Sequence, residues 1–170
     1  KTDEPMDYNE SRILKCKDLI ENSILLKFYK NPPILKLVSN KPNKVENKIS
    51  YRTAGGRYWK IFINSDFQTS SLSNKTVFCV DGVVNNAIIS ILSSNTFWWY
   101  YSINFDMYNL KDYMIFNFRF NYFSSSQIDR LSNIGVDLVD DLHNKSEESI
   151  VHSKTRGTVI TNLFKISKSK

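Results

Sequence analysis

The chain has 170 residues, enough for one domain with a proper core and too few for two comfortable ones. Its 41% hydrophobic and 14% aromatic content excludes disorder as the main state, and no apolar run reaches the ~18 residues that a membrane-crossing helix needs. A net charge of +6 favours a polyanionic partner, while two cysteines far apart (Cys16, Cys79) and two histidines give no metal-ligand spacing. No signal-peptide pattern opens the sequence, so the expectation is a cytoplasmic protein with reduced, buried thiols and no membrane partner. The opening Lys1 and the closing KISKSK suggest a piece cut from a longer protein.

Residues 1–8 are polar and expected to fray. From Asn9 the positions Ile13, Leu14, Lys17, Ile20, Ile24 and Leu25 give an amphipathic helix, with Asn9 or Ser11 as candidate caps. That helix should stop before Asn31-Pro32-Pro33, because proline disfavours helix in the residue before it and cannot continue one. Residues 1–33 thus form an N-terminal helical segment. Ile34 to Val38 reads as a short strand, and residues 39–48 as a solvated loop rich in Lys and Asn.

The stretch Ile49 to Asn64 carries the most functional information. Tyr51-Arg52 and Tyr58-Trp59-Lys60 flank Ala54-Gly55-Gly56-Arg57, a pattern for two strands meeting at a tight Gly-Gly turn. Glycine supplies the positive φ such a turn needs and lets the backbone approach another surface closely. Arg52, Arg57 and Lys60 suit base-edge or phosphate contacts on a duplex, since guanidinium can fork onto guanine and ammonium can meet phosphate. Tyr51, Tyr58 and Trp59 suit shape, stacking or support. An ordinary solvated hairpin satisfies the same residues, and both readings stand on the sequence alone.

After a polar loop at 65–75, Thr76 to Val80 reads as a buried strand stopped by Asp81-Gly82. Val84, Ala87, Ile88, Ile91 and Leu92 then keep the spacing of one buried helical face. Ser93-Ser94-Asn95 breaks that helix. The block Phe97-Trp98-Trp99-Tyr100-Tyr101 surrounds its own axis with large rings and must be enclosed mostly as core, its N–H and O–H groups finding partners. Residues 108–113 form a polar turn or short helix, in which Asn109 and Lys111 are second-rank candidates for DNA contact. Met114 to Phe120 alternates like a strand. A Ser124–Ser126 cap should start a helix through Ile128, Leu131, Ile134, Leu138 and Leu142, weakened by Gly135. The polar tail from His143 has few apolar anchors and should dock loosely. Residues 34–123 are therefore expected as the core and 124–170 as a C-terminal helix and tail.

No catalytic set assembles. Asn31-Pro32-Pro33 resembles the Asn-Pro-Pro-aromatic motif of adenine-N6 methyltransferases, but Ile34 stands where the stacking ring is needed. Gly55-Gly56 lacks the spacing of a nucleotide-binding loop, His143 and His152 have no neighbouring Ser or Cys arranged as a nucleophile and read as surface residues, and Asp137, Asp140 and Asp141 read as an exposed helix face.

The order of features does resemble a known family. A Tyr-Arg-x-x-Gly-Gly-x-Tyr-Trp-Lys hairpin, a strand, a helix ending Ile-Leu-Ser-Ser-Asn-x-Phe-Trp-Trp, then Asn109-Leu110-Lys111 and an apolar run resemble the C-terminal target-recognition region of bacterial restriction-modification N6-adenine DNA methyltransferases of the TaqI-like specificity type. The proline expected beside Ile115-Phe116-Asn117 is missing. The resemblance implies sequence-specific binding of double-stranded DNA on behalf of an N-terminal catalytic methyltransferase domain in the parent chain. That domain would carry S-adenosylmethionine and the true motif, and the resemblance leaves open a fusion of the parent to an endonuclease. No cofactor and no catalytic residue is expected in this segment. The alternative is a protein-interaction module that docks a separate methylase or nuclease subunit. The fold expected is a single α+β domain, its mixed or antiparallel sheet packed against helices, with the basic hairpin at one edge.

Overall fold

The computed structural model describes residues 18–42, 47–54, 60–67, 73–121, 123–155 and 157–164. The fold is α+β, with five α-helices, an antiparallel four-stranded sheet and a separate two-stranded one among the described residues.

Helix α1 (Leu19–Tyr29) starts at Asp18, whose carboxylate accepts the Glu21 N–H at 2.8 Å. The expected Asn9 and Ser11 caps lie outside the described residues. Of the stripe read from spacing, Leu25 is buried while Ile20 and Ile24 are exposed, and Ile13, Leu14 and Lys17 lie outside the described residues. The helix does end before the two prolines. Asn31 closes it by donating its side-chain amide to the Lys27 carbonyl at 3.1 Å.

Ile34 to Leu37 forms a 3₁₀ turn rather than the expected strand, which shrinks to β1 (Val38–Ser39). The cause is tertiary. The Ile34 N–H reaches the Phe118 carbonyl at 2.9 Å, and Arg119 bridges Pro33 while donating to the carbonyls of Tyr29 and Asn31.

Strands β2 (Lys48–Arg52), β3 (Phe62–Ile63) and β4 (Asn74–Cys79) complete the sheet in the order β1-β4-β2-β3. Tyr51 faces Phe62 across β2–β3 and Lys75 across β2–β4. Cys79 is fully buried, and burial pushes its thiol up to about 12. Gly82, at φ +80°, turns the chain out of β4 into α2 (Asn85–Leu92), where Ala87, Ile88, Ile91 and Leu92 are buried as their spacing requires.

Ser94 separates α2 from α3 (Asn95–Asn104), its hydroxyl capping Phe97 N. Phe97, Tyr100 and Tyr101 turn inward, while Trp98 and Trp99 stay half-buried at the margins. Trp99 Nε1 donates to Glu21 and the Tyr101 hydroxyl to the Asn109 carbonyl, so the polar ends of the block do find partners. The run expected as a strand from Met114 is instead the short helix α4 (Asp112–Phe116), with Met114, Ile115 and Phe116 all buried.

Helix α5 (Ser125–Asn144) begins at a Ser124 capping box with Gln127. Its inward face is Gly135, Val139 and Leu142, with Ile134 outside. Gly135 crosses α2 so closely that a Cβ there would lie 2.0 Å from the Asn86 carbonyl oxygen. The tail folds on itself: β5 (Ser146–Ser153) and β6 (Gly157–Phe164) pair antiparallel as a hairpin, with Gly157 at φ +69°, and most of its described residues are exposed.

Candidate nucleic-acid interface

The strands β2 and β3 are antiparallel neighbours, as the hairpin pattern requires, and the Gly-Gly turn read between them falls outside the described residues. Pairing stops at Tyr51–Phe62, and Thr53 spends its N–H on the Ser73 carbonyl and its own carbonyl on Leu110 N–H. Ala54 then bridges Asn109 on the neighbouring loop. Gly55, Gly56, Arg57, Tyr58 and Trp59 lie outside the described residues.

This arrangement joins two stretches that are ~50 residues apart in the chain: the base of the hairpin and the loop 105–111. Lys60 returns over the same loop, donating to the Tyr108 carbonyl at 3.2 Å with its ammonium 5.5 Å from the Tyr101 ring centroid. Burial pushes the Lys60 ammonium below its ordinary range, and the nearby Asp106 carboxylate offsets part of that effect. Lys60 is thus a half-buried strut more than a free cation.

The loop is internally built. The Asp106 carboxylate accepts from Tyr108 N, Asn109 N and Asn109 Nδ2 at 2.9–3.0 Å, which holds its carboxyl below the usual carboxylate range. These bonds stabilise Met107 at φ +64°, a left-handed conformation that costs a side-chain-bearing residue ~1 kcal/mol or more. Asn109 therefore contributes its amide to the loop, leaving Tyr108 57% exposed above it.

Tyr51 is fully buried, so as a surface contact it is excluded and its role is support. Its hydroxyl donates to Asp112 Oδ1 at 2.5 Å, and Lys75 pairs with Asp112 Oδ2. Burial and the Asp112 carboxylate push the Tyr51 phenol far above its ordinary value. Arg52, one residue on, points out and is exposed, as is Lys111 at the start of α4. Arg52 pairs with Asn74 in the ladder, so Arg52, Lys75 and Lys111 surround one end of the sheet, with both nearby carboxylates, Asp106 and Asp112, already engaged. The sequence did not reveal Lys75, which lies at the end of a polar loop. Its partner Asp112 is 37 residues away, and only the sheet register brings the two together.

Asp112 also gives a pH prediction. Its burial opposes ionisation, but the hydrogen bonds from Lys75 and Tyr51 outweigh it and hold the carboxyl below its usual value. The unfolded chain therefore binds more protons, so the stabilisation is complete above the unfolded value of ~3.9 and is lost as pH falls through the lower folded value. Asp106 acts with the same sign. Urea melts from pH 5 to 2.5 should show stability falling, with a shallower fall in Asp112→Asn. An identical fall in both proteins would remove Asp112 as a cause.

Ser65 Oγ lies 3.2 Å from His143 Nε2, a neighbour for this histidine that the sequence did not disclose. Both groups are exposed, and the contact ties the end of α5 to the segment after β3. Among the described residues no three His, Cys, Asp or Glu side chains gather as a metal site, and no helix is long and apolar enough to cross a membrane. No protein-family model matches the chain, and no curated protein or solved structure is detectably similar to it.

Proposed function

We propose that this chain binds double-stranded DNA sequence-specifically, as the target-recognition part of a restriction-modification adenine-N6 methyltransferase. One observation carries the reading: the two stretches that the sequence nominates separately, 51–60 and 109–111, are hydrogen-bonded into one edge flanked by Arg52, Lys75 and Lys111. The edge gathers Arg52, Lys60, Lys75 and Lys111 against Asp106 and Asp112, so its net charge is positive, as phosphate contact requires. Gly55, Gly56 and Arg57 follow Ala54 of that edge in the sequence, and on this reading they contribute to DNA contact. On this reading methyl transfer and S-adenosylmethionine belong to an N-terminal catalytic domain of the parent, and the protein works in the cytoplasm.

Arg52→Ala, Arg57→Ala and Lys111→Ala test the assignment by anisotropy on labelled duplexes. A base contact costs ~1–3 kcal/mol and relaxes preference at one position, while a phosphate contact weakens all duplexes alike and lowers the salt slope by about 1. Unchanged affinity in all three variants would reject this edge.

The protein-docking alternative has one observation in its favour. Helix α1 exposes Leu19, Ile20 and Leu26, at 86%, 69% and 54%. Binding of a protein subunit through that face would show little salt dependence and would survive the three substitutions.

A further inference from the structure

A cleft of about 250 Å³ opens between the sheet edge at β1 and helix α4. Val38, Val77 and Phe116 form its apolar floor, and each is at most 9% exposed. Tyr113 stands at the side, 39% exposed, its ring fixed edge-on against Phe105 at 5.9 Å between centroids. Asp112, Asn40 and Asn117 supply the polar lining.

Three properties define what fits. The volume lies below the ~300–1,000 Å³ of drug-sized sites, so it admits one ring system and not a dinucleotide cofactor. The charge is balanced, because Asp112 already holds Lys75 and the Tyr51 hydroxyl, and no Lys or Arg lines the cleft among the described residues. A free phosphate or a strongly cationic ligand therefore gains little there. The carboxamides of Asn40 and Asn117 have no hydrogen-bond partner among the described residues, and each presents an N–H donor beside a C=O acceptor. Unused carboxamides beside a fixed aromatic ring and an apolar floor match a flat neutral heterocycle with adjacent donor and acceptor atoms.

We propose that this cleft binds a nucleobase bearing an exocyclic amino group, adenine or cytosine. A carboxamide reads the amino group and its neighbouring ring nitrogen together, as Asn reads adenine in a duplex, and Asp112 offers a second acceptor to the amino hydrogens. The ring packs along Tyr113 over the apolar floor. Thymine and uracil, which present a carbonyl in place of the amino group, are disfavoured beside the carboxylate. Both a free nucleoside and a strand in which the base is unstacked present this chemistry. Lys111 directly precedes Asp112, so the cleft borders the basic edge. The proposal is nonetheless independent of duplex binding, since a nucleoside carries no phosphate.

The test titrates the full 170-residue protein with adenosine, cytidine and thymidine, following side-chain carboxamide resonances by ¹H–¹⁵N correlation NMR. Asn40→Ala and Asn117→Ala assign the two signals. Saturable shifts of both signals by adenosine or cytidine are expected, insensitive to NaCl, with thymidine weaker by roughly tenfold or more. Tyr113→Ala, which removes a partly exposed ring, should weaken adenosine several-fold while the rest of the spectrum is retained. No shift of either carboxamide with adenosine and cytidine, or equal shifts with thymidine, would overturn the proposal. The sources are separated by comparing a fully paired duplex with one holding a single unpaired adenine. Preference for the unpaired adenine identifies a strand, and adenosine binding without that preference identifies a free nucleoside.

Discussion

Phe97→Ala lowers the thermal midpoint by roughly 6–20 °C. The ring is 1% exposed and sits at the centre of the aromatic core, with centroids of Phe118 at 5.4 Å, Phe62 at 5.9 Å and Tyr101 at 6.2 Å. Truncating a buried Phe typically costs ~3–5 kcal/mol, because its transfer free energy is lost and the cavity collapses only in part. For a chain of this size each kcal/mol shifts the midpoint by about 2–4 °C. The three partners come from a strand, from α3 itself and from the segment after α4, so the cavity opens where these parts meet. Trp98→Ala, one residue away but half-buried, should cost distinctly less. A circular-dichroism melt of both variants checks this, and equal losses would mean that the burial pattern of α3 is wrong.

Gly135→Ala should also destabilise, although helix propensity alone argues the reverse. Replacing Gly by Ala inside a helix gains ~1 kcal/mol. Here the new methyl would lie 2.0 Å from Asn86 O and 2.7 Å from its carbonyl carbon, both backbone atoms of the buried helix α2. No side-chain rotation relieves that overlap, so α2 and α5 must separate, and overpacking of this kind costs ~3 kcal/mol or more. The net loss is about 2 kcal/mol, or roughly 4–8 °C in the midpoint. A midpoint at or above that of the parent would show that the two helices do not cross at Gly135.

These two positions also mark how far the sequence could be read. The spacing of Ala87, Ile88, Ile91 and Leu92 identified a buried helix because a helix packed on most sides leaves little ambiguity, while Val84, read with them, caps the helix and is exposed. The Ser124 cap and the Pro32-Pro33 stop were local signals, and they held. Gly135 was readable only as a weak point, since nothing in the sequence says that another helix passes over it. Short elements were misread for the same reason. Residues 34–37 and 112–116 are shaped by contacts such as Ile34 N–H with Phe118 O, which no local pattern encodes. The β5–β6 hairpin had a usable signal, with Ile150-Val151 and Thr158-Val159-Ile160 on either side of Gly157, but it was hidden by the polar composition around it. At the candidate interface, residue types marked Arg52, Lys60 and Lys111. Their unequal roles, two exposed and one spent on Tyr108, needed the fold.

Sequence-specific duplex recognition is tested by fluorescence anisotropy of the protein with a random-sequence duplex pool at several salt concentrations. Three phosphate contacts imply a loss of about 40-fold in affinity between 50 and 200 mM salt. Selection of the retained duplexes should then enrich one short motif. No binding at low salt, or binding that depends on neither salt nor sequence, would contradict the claim.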